Sequence, residues 1–366
     1  MKILLLGEYS NVHCTLAQGL RKLGHDVTVA SDGDSWKNYP RDIDLKRTDF
    51  GRFKSLAYIL RLHKSFHKFK GFDIVQIINP VFLPLKAERI WSFYKYLRKH
   101  NNKIFMGAFG MDFYYAQACL DCHTFRYSDF NIGKTIRHTK ETEVWKHDWI
   151  NGEKARLNQY IAADCNGIIA GLYEYHTAYK KHWSQKLTFI PFPIIPPPSP
   201  HIVKETPMKI KFFIGIQRAR SAYKGTDIML RALERVTARF PNETEMIKVE
   251  SVPFTLYRQL MDGCHIILDQ LYAYTPAMNA LEAMSKGLVV VGGGEPENYE
   301  IISETNLRPI INVIPTEESV YNALCDIIIH RNKLPQLSAD SRTYIERHHD
   351  YLKVAQEYID FWSASE

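Results

Sequence analysis

YTPAMNALEAMSKGLVVVGGGEPE, residues 274–297, is the stretch whose reading decides the fold. Thr275 and Pro276 form a turn into a helix, and Glu282 sits in the first turns of that helix. The helix ends at Lys286-Gly287, and residues 288–291 form a wholly apolar strand that breaks into three glycines, 292–294. A helix N-terminus offers unpaired N–H groups and the positive end of a dipole, which suits a phosphate. A carboxylate further along accepts hydrogen bonds from vicinal hydroxyls, and a glycine loop admits close backbone approach. Together these parts predict a pocket for a sugar nucleotide.

A second motif lies at 209–235, KIKFFIGIQRARSAYKGTDIMLRALER. An apolar strand over 209–216 leads through a loop to Lys224-Gly225. A helix follows, with Ile228, Leu230 and Leu233 predicted on its buried side. A diphosphate leaving group gains negative charge as its bond to the sugar breaks, and fixed cations stabilise it. Lys224 fits that need, with Arg218 or Arg220 as the accompanying arginine; spacing does not separate the two.

The first half alternates apolar strands (2–7, 26–30, 73–78, 103–108, 167–171) with helices (13–23, 52–69, 85–100, 152–164). Such alternation predicts a doubly wound parallel sheet, and the second half repeats it. Residues 190–200, IPFPIIPPPSP, hold six prolines and read as an extended linker dividing the chain near 196. A chain of 366 residues with 45% hydrophobic and 24% charged residues suits two globular domains.

The segment ALEAMSKGLVVV resembles the LEAMA-GxPVV segment of retaining glycosyltransferases of the GT-B fold, the family-four or group 1 type. Residues 215–232 are similar to that family's G-R-x-x-x-KG motif. The resemblance implies an α/β fold of two Rossmann-like, doubly wound parallel-sheet domains facing across a cleft. Residues 1–195 would form the acceptor-side domain and 196–350 the nucleotide-sugar domain, with a last helix, 351–366, packing back on the first. Glu282 matches the family glutamate that holds the ribose. The family's other glutamate, eight positions earlier, falls on Tyr274. The resemblance assigns donor binding to Gly7, Gly215, Arg218, Tyr274, Thr275, Pro276, Ala277, Met278, Asn279 and Glu282. Catalysis falls to Arg220 and Lys224 in the diphosphate clamp, and to Asp112 beside the reacting centre. Asp112 also reads as a helix N-cap. No metal or other cofactor is expected, since the cations replace it.

The implied activity is transfer of a sugar from a UDP- or GDP-sugar to an acceptor hydroxyl with retention, in surface polysaccharide or glycolipid assembly. The acceptor would be a glycan or a lipid-linked glycan. An epimerase of the same fold and a catalytically inactive sugar-nucleotide-binding protein are the alternatives.

The remaining features bound the setting. Residues 1–195 carry 29 Lys+Arg against 18 Asp+Glu, and 196–366 carry 18 against 22. Much of the excess lies on 52–70, where Phe53, Leu56, Ile59, Leu60 and Phe66 mix with Arg52, Lys54, Arg61, Lys64, Lys68 and Lys70. A basic amphipathic helix reads as a contact with an anionic membrane surface or as a solvated face of a packed helix. No nucleic-acid motif accompanies the charge, so no nucleic-acid partner is expected. No apolar run reaches about 18 residues, and the expected location is the cytoplasm, peripheral at the inner face of the membrane. Cys119-Leu120-Asp121-Cys122-His123 has the C-x-x-C-H pattern, but zinc would need further ligands at a known spacing and none is present. Residues 113–150, rich in aromatic and basic groups, read as an insertion over the cleft.

Overall fold

Every strand of the two large sheets pairs in parallel, as buried apolar strands linked by helical crossovers require. The computed structural model describes residues 1–47 and 51–365, apart from the side chains of Arg52, Phe53 and Ala219. The first sheet contains β1 (Lys2–Leu6), β2 (Asp26–Ser31), β3 (Ile43–Asp44), β4 (Ile74–Ile77) and β5 (Lys103–Ala108). A two-stranded antiparallel hairpin follows, β6 (Asn131–Ile132) with β7 (Thr135–Ile136). Then β8 (Gly167–Ala170) and β9 (Leu187–Phe189) complete the sheet in the order β3-β2-β1-β4-β5-β8-β9. The second sheet has the order β11-β10-β12-β13-β14. Its members are β10 (Ile210–Ile216), β11 (Thr244–Glu250), β12 (Ile266–Leu268), β13 (Val289–Gly292) and β14 (Ile311–Asn312).

The alternation read from the sequence is present, with three differences. The helix over 52–69 is Arg52–Lys64 followed by a separate 3-10 turn, Phe66–Phe69. The Ser65 hydroxyl donates to the Arg61 carbonyl at 3.0 Å, competing with the helix's own hydrogen bonds. On the helix Thr226–Arg239 the buried positions are Thr226, Met229, Ala232, Leu233 and Val236, whereas Ile228 and Leu230 are half-buried. The apolar stripe is therefore rotated by about one position from the expected one. The short strands β3, β9 and β14 carry too few residues for a pattern to show.

The chain crosses between the two sheets twice at one place. Ile194 of the proline linker donates its N–H to the His349 carbonyl at 2.7 Å and accepts from the Tyr351 N–H at 3.1 Å. Asp350 then caps the last helix, Tyr351–Ala364, by accepting from the Leu352 and Lys353 N–H groups. That helix turns Tyr351, Val354, Ala355, Tyr358 and Trp362 onto the first sheet's layer, an i, i+3, i+4, i+7 stripe. Gly19 makes the approach possible, because a Cβ there would lie 2.5 Å from the Tyr351 carbonyl oxygen. Trp362 is 1% exposed, packs on Phe105 and Tyr358, and donates its indole N–H to Gln76 on β4 at 3.3 Å.

Trp362→Ala leaves a large cavity and an unpaired Gln76 side-chain oxygen, and should cost about 3–5 kcal/mol of stability. Urea denaturation followed by far-UV circular dichroism checks this. A loss below about 1 kcal/mol would mean that the last helix is not held by this contact.

Candidate functional site

The C-terminal ends of β1, β5, β8, β10 and β12 point toward the cleft between the sheets, where open parallel sheets place their ligands. A cavity of about 250 Å³ lies there, and both halves line it. The second half contributes Arg220 and Lys224 after β10, Asp269 after β12, and Thr275, Ala277, Met278 and Asn279 at the start of the next helix. Tyr9 and Ser10 after β1, Tyr115, Asp129 and Glu174 come from the first half.

Arg220 and Lys224 reach this cavity through a compact turn. Residues Arg218–Arg220 form a 3-10 turn, Ser221–Lys224 one helical turn, and Gly225 exits at φ 73°. Gly225 is required twice over, since a Cβ would also lie 2.6 Å from Leu271. Burial pushes the Lys224 ammonium below its ordinary range, and Asp269 works against that shift. No ion pair to Lys224 or Arg220 occurs among the described residues, so two cations face the cavity without a bonded counter-charge. Arg218 is placed elsewhere: its side chain is 81% exposed and pairs with Glu250 at 2.8 Å.

The helix Met278–Ser285 opens on the same cavity with Ala277 at its N-cap and no side-chain cap. Its first N–H groups are left to a ligand or to solvent. Asn279 is held in register by two bonds. It donates to Asp269 at 2.7 Å and accepts from the Tyr257 hydroxyl at 3.0 Å. Tyr257 in turn fills the space that a Cβ on Gly215 would occupy, so Gly215 acts through packing. Pro276 is buried in the turn and Gly7 takes φ 86° against Ile78; neither lines the cavity.

Glu282 is half-buried on that helix and pairs with Arg258 at 2.5 Å. Next to this pair, Trp36 and Tyr39 of the first half meet Phe254 of the second, at 5.9 and 5.6 Å between ring centres. Tyr274 does not line the cavity. Its ring stacks on Tyr173 and lies against Phe125 and Tyr127, and its hydroxyl accepts the Arg126 N–H at 2.7 Å. A glutamate there would bury a charge among three aromatic rings, those of Phe125, Tyr127 and Tyr173.

Sequence reading assigned no site role to the acids that matter most to the geometry. Glu174 is 6% exposed. It accepts from the Tyr274 and Thr275 N–H groups at 2.6 and 3.2 Å and from the Thr275 hydroxyl at 2.5 Å. Asp269 directly follows the apolar strand β12, a position that could have flagged it. Asp129 lies in the aromatic insertion, where no periodicity marks it. Burial pushes all three carboxyls above the usual carboxylate range.

The insertion lies over the cleft and ties both halves together. Arg126 pairs with Glu295 at 2.8 Å and with Glu297, and Tyr127 donates to Glu295 at 2.5 Å. Arg137 donates to the Ala222 carbonyl at 2.7 Å and lies 3.4 Å from the centre of the Tyr272 ring.

Asp112 is fully buried and does not line the cavity. It caps the helix Phe113–Leu120 by accepting from the Tyr115 N–H, and it accepts from the Tyr179 hydroxyl, both at 2.9 Å. Burial raises its carboxyl to about 7. Between about pH 4 and 7 the folded chain thus holds a proton that the unfolded chain releases, so this group's contribution to stability falls as pH rises through that window. Asp112→Asn should remove the slope, leaving the variant better off relative to the parent at pH 8 than at pH 5. Melting curves at both values check it, and parallel pH dependence would exclude the linkage.

No protein-family profile matches the chain, and no curated protein matches it in sequence. Solved structures do match. Sucrose-phosphate synthase from Thermosynechococcus elongatus gives a TM-score of 0.64 at 12% identity, with 100% of each chain covered. HepE from Anabaena, in complex with UDP and glucose, gives 0.61 at 14%, also over 100% of each chain. UDP-GlcNAc 2-epimerase from Neisseria meningitidis, bound to UDP-GlcNAc, gives 0.55 at 11%, covering 98% of this chain and 99% of that one. With two parallel α/β sheets facing across a shared cleft, the chain has the GT-B fold, as do the sucrose-phosphate synthase and HepE that it resembles.

Proposed function

We propose that this protein is a glycosyltransferase that moves a hexose from a UDP- or GDP-sugar to a hydroxyl of a glycan or lipid-linked acceptor with retention, in surface polysaccharide or glycolipid assembly. The observation that carries this reading is the pair of cations, Arg220 and Lys224, facing a cavity built by both halves without an ion-paired carboxylate among the described residues. A half-buried ammonium that no carboxylate bonds gains from a ligand that supplies counter-charge, and a nucleoside diphosphate does so. The uncapped start of the helix Met278–Ser285 adds N–H donors beside them.

In this reading residues 196–350 hold the donor, with Thr275, Ala277, Met278 and Asn279 around the diphosphate and Glu282 turning from Arg258 to the ribose. Residues 1–195, with the returning helix of 351–366, present the acceptor. The bond from the sugar's anomeric carbon to the diphosphate oxygen breaks, and the electron pair leaves on the diphosphate. The acceptor oxygen bonds to that carbon on the same face and passes its proton to the departing diphosphate oxygen. Lys224 and Arg220 neutralise the departing charge without a metal ion. Asp112 serves as a positioning residue, since the helix it caps carries Tyr115 into the cavity. The epimerase neighbour motivates the alternative of a reaction without an acceptor.

The protein should be stabilised thermally by UDP or GDP; at about 100 times the dissociation constant the gain is roughly 2.7 kcal/mol. Lys224→Ala should lower kcat more than donor affinity, because charge builds on the leaving group in the transition state. Steady-state kinetics with and without EDTA check both points. A loss confined to KM, or an absolute need for a divalent ion, would contradict the clamp. Product formation without any acceptor would favour the epimerase.

No helix among the described residues is long and apolar enough to cross a membrane. Peripheral contact at the inner face rests on the helix Arg52–Lys64, where Leu56 and Leu60 are 56% and 54% exposed beside exposed Lys54, Arg61 and Lys64, with Lys68 and Lys70 just beyond. Ile59 and Phe66 are half-buried, and Phe66 packs against the core; Arg52 and Phe53 lie outside the described side chains. Reversing Lys64, Lys68 and Lys70 to Glu should release the protein from anionic vesicles, at about 1 kcal/mol per charge near the surface. Cosedimentation decides it: equal recovery of parent and variant would leave these charges as a solvated face.

A further inference from the structure

Residues 113–150 bring one acid into the cavity whose second oxygen is unused. Asp129 sits two residues before the hairpin of β6 and β7 and lines the cavity with Arg220 and Lys224. Its Oδ2 accepts two hydroxyls, Tyr115 from its own half at 2.9 Å and Tyr223 from the diphosphate turn at 2.5 Å. Oδ1 takes no hydrogen bond among the described residues. The backbone around it is fixed as well, since Arg137 donates to the Ser128 and Asp129 carbonyls at 3.2 and 2.9 Å. The same guanidinium reaches across to the Ala222 carbonyl. One oxygen is clamped from both sides of the cleft and the other is left for a ligand.

The other cavity acids are differently committed. Both oxygens of Glu174 are taken by residues 274–275. Asp269 is bonded to Asn279 and faces the charge of Lys224. Charge then sorts the ligand. A diphosphate is repelled by the Asp129 carboxylate and drawn to Arg220 and Lys224, so the part of the donor that meets Asp129 is neutral and rich in hydroxyls.

Resting on the transferase reading, we propose that Asp129 is a specificity-determining residue for the donor: its free Oδ1 accepts a hydrogen bond from a hydroxyl of the transferred sugar while Arg220 and Lys224 hold the diphosphate. Tyr115, Tyr223 and Arg137 are positioning residues for that oxygen. The insertion thus supplies from the first half a carboxylate contact that Tyr274 cannot make.

Asp129→Asn tests the assignment, because the amide keeps an acceptor for the two tyrosine hydroxyls while removing the charge. Calorimetry on the full chain compares UDP with UDP-glucose, and GDP with GDP-mannose. In the variant the bare nucleotide should bind as tightly as before or more tightly, since a negative charge near the cations is gone. The matching sugar nucleotide should weaken by about 10- to 100-fold, the loss expected for one hydrogen bond to a charged acceptor. Opposite responses of the two ligands cannot come from a collapsed cavity. An unchanged sugar-nucleotide affinity, or an equal loss for both ligands, overturns the role of Asp129 and leaves the transferase reading standing. Failure of all four ligands to bind the parent chain overturns both.

Discussion

One buried carboxylate bonds the two halves of the cleft to each other. Glu174 begins a helix of the first half, yet its hydrogen bonds go to the backbone and hydroxyl of residues 274–275 in the second. Those bonds fix the turn that starts the helix Met278–Ser285, and with it the N–H groups facing the cavity. A carboxylate this buried is costly unless its oxygens are satisfied. Three donors satisfy it, and they do so only when the halves are in contact. The aromatic cluster of Phe125, Tyr127, Tyr173 and Tyr274 packs beside it.

The charges of the cavity follow from that enclosure. Burial raises the carboxyls of Asp129, Asp269 and Glu174 and lowers the Lys224 ammonium, all by loss of water. Acids and cations share the space without forming ion pairs. A molecule with an anionic end and a hydroxyl-rich end would complement both sets of groups. The insertion contributes to this twice. It delivers Asp129, and through Arg126 and Arg137 it binds loops of the second sheet, so that cavity shape depends on residues far from either sheet in sequence.

Some of this was legible in the chain itself. The apolar runs that become β1, β4, β5, β8, β10 and β13 are long and bounded by polar turns, so their type and order followed from local pattern. The proline linker was readable for the same reason. Lys224, Thr275, Ala277, Met278 and Asn279 were readable as candidates because each lies where a strand ends or a helix begins, and all five line the cavity. Choosing between Arg218 and Arg220 was beyond local pattern. Two residues apart on a short turn, they point to opposite sides, and only the packed turn shows which one meets solvent.

The sequence by itself determined the two alternating sheets and the loops that end near a ligand, because hydrophobic period, glycine and proline act over a few residues. Tertiary structure alone decided which side chains share the cavity. Asp129 and Tyr223 are 94 residues apart, and Glu174 and Thr275 are 101 apart. No periodicity links such pairs; they meet because two independently wound sheets are held face to face by the insertion and the returning helix. The same distant packing makes Tyr274 an aromatic contact between the halves, and Asp112 the buried cap of a helix that bears on the site.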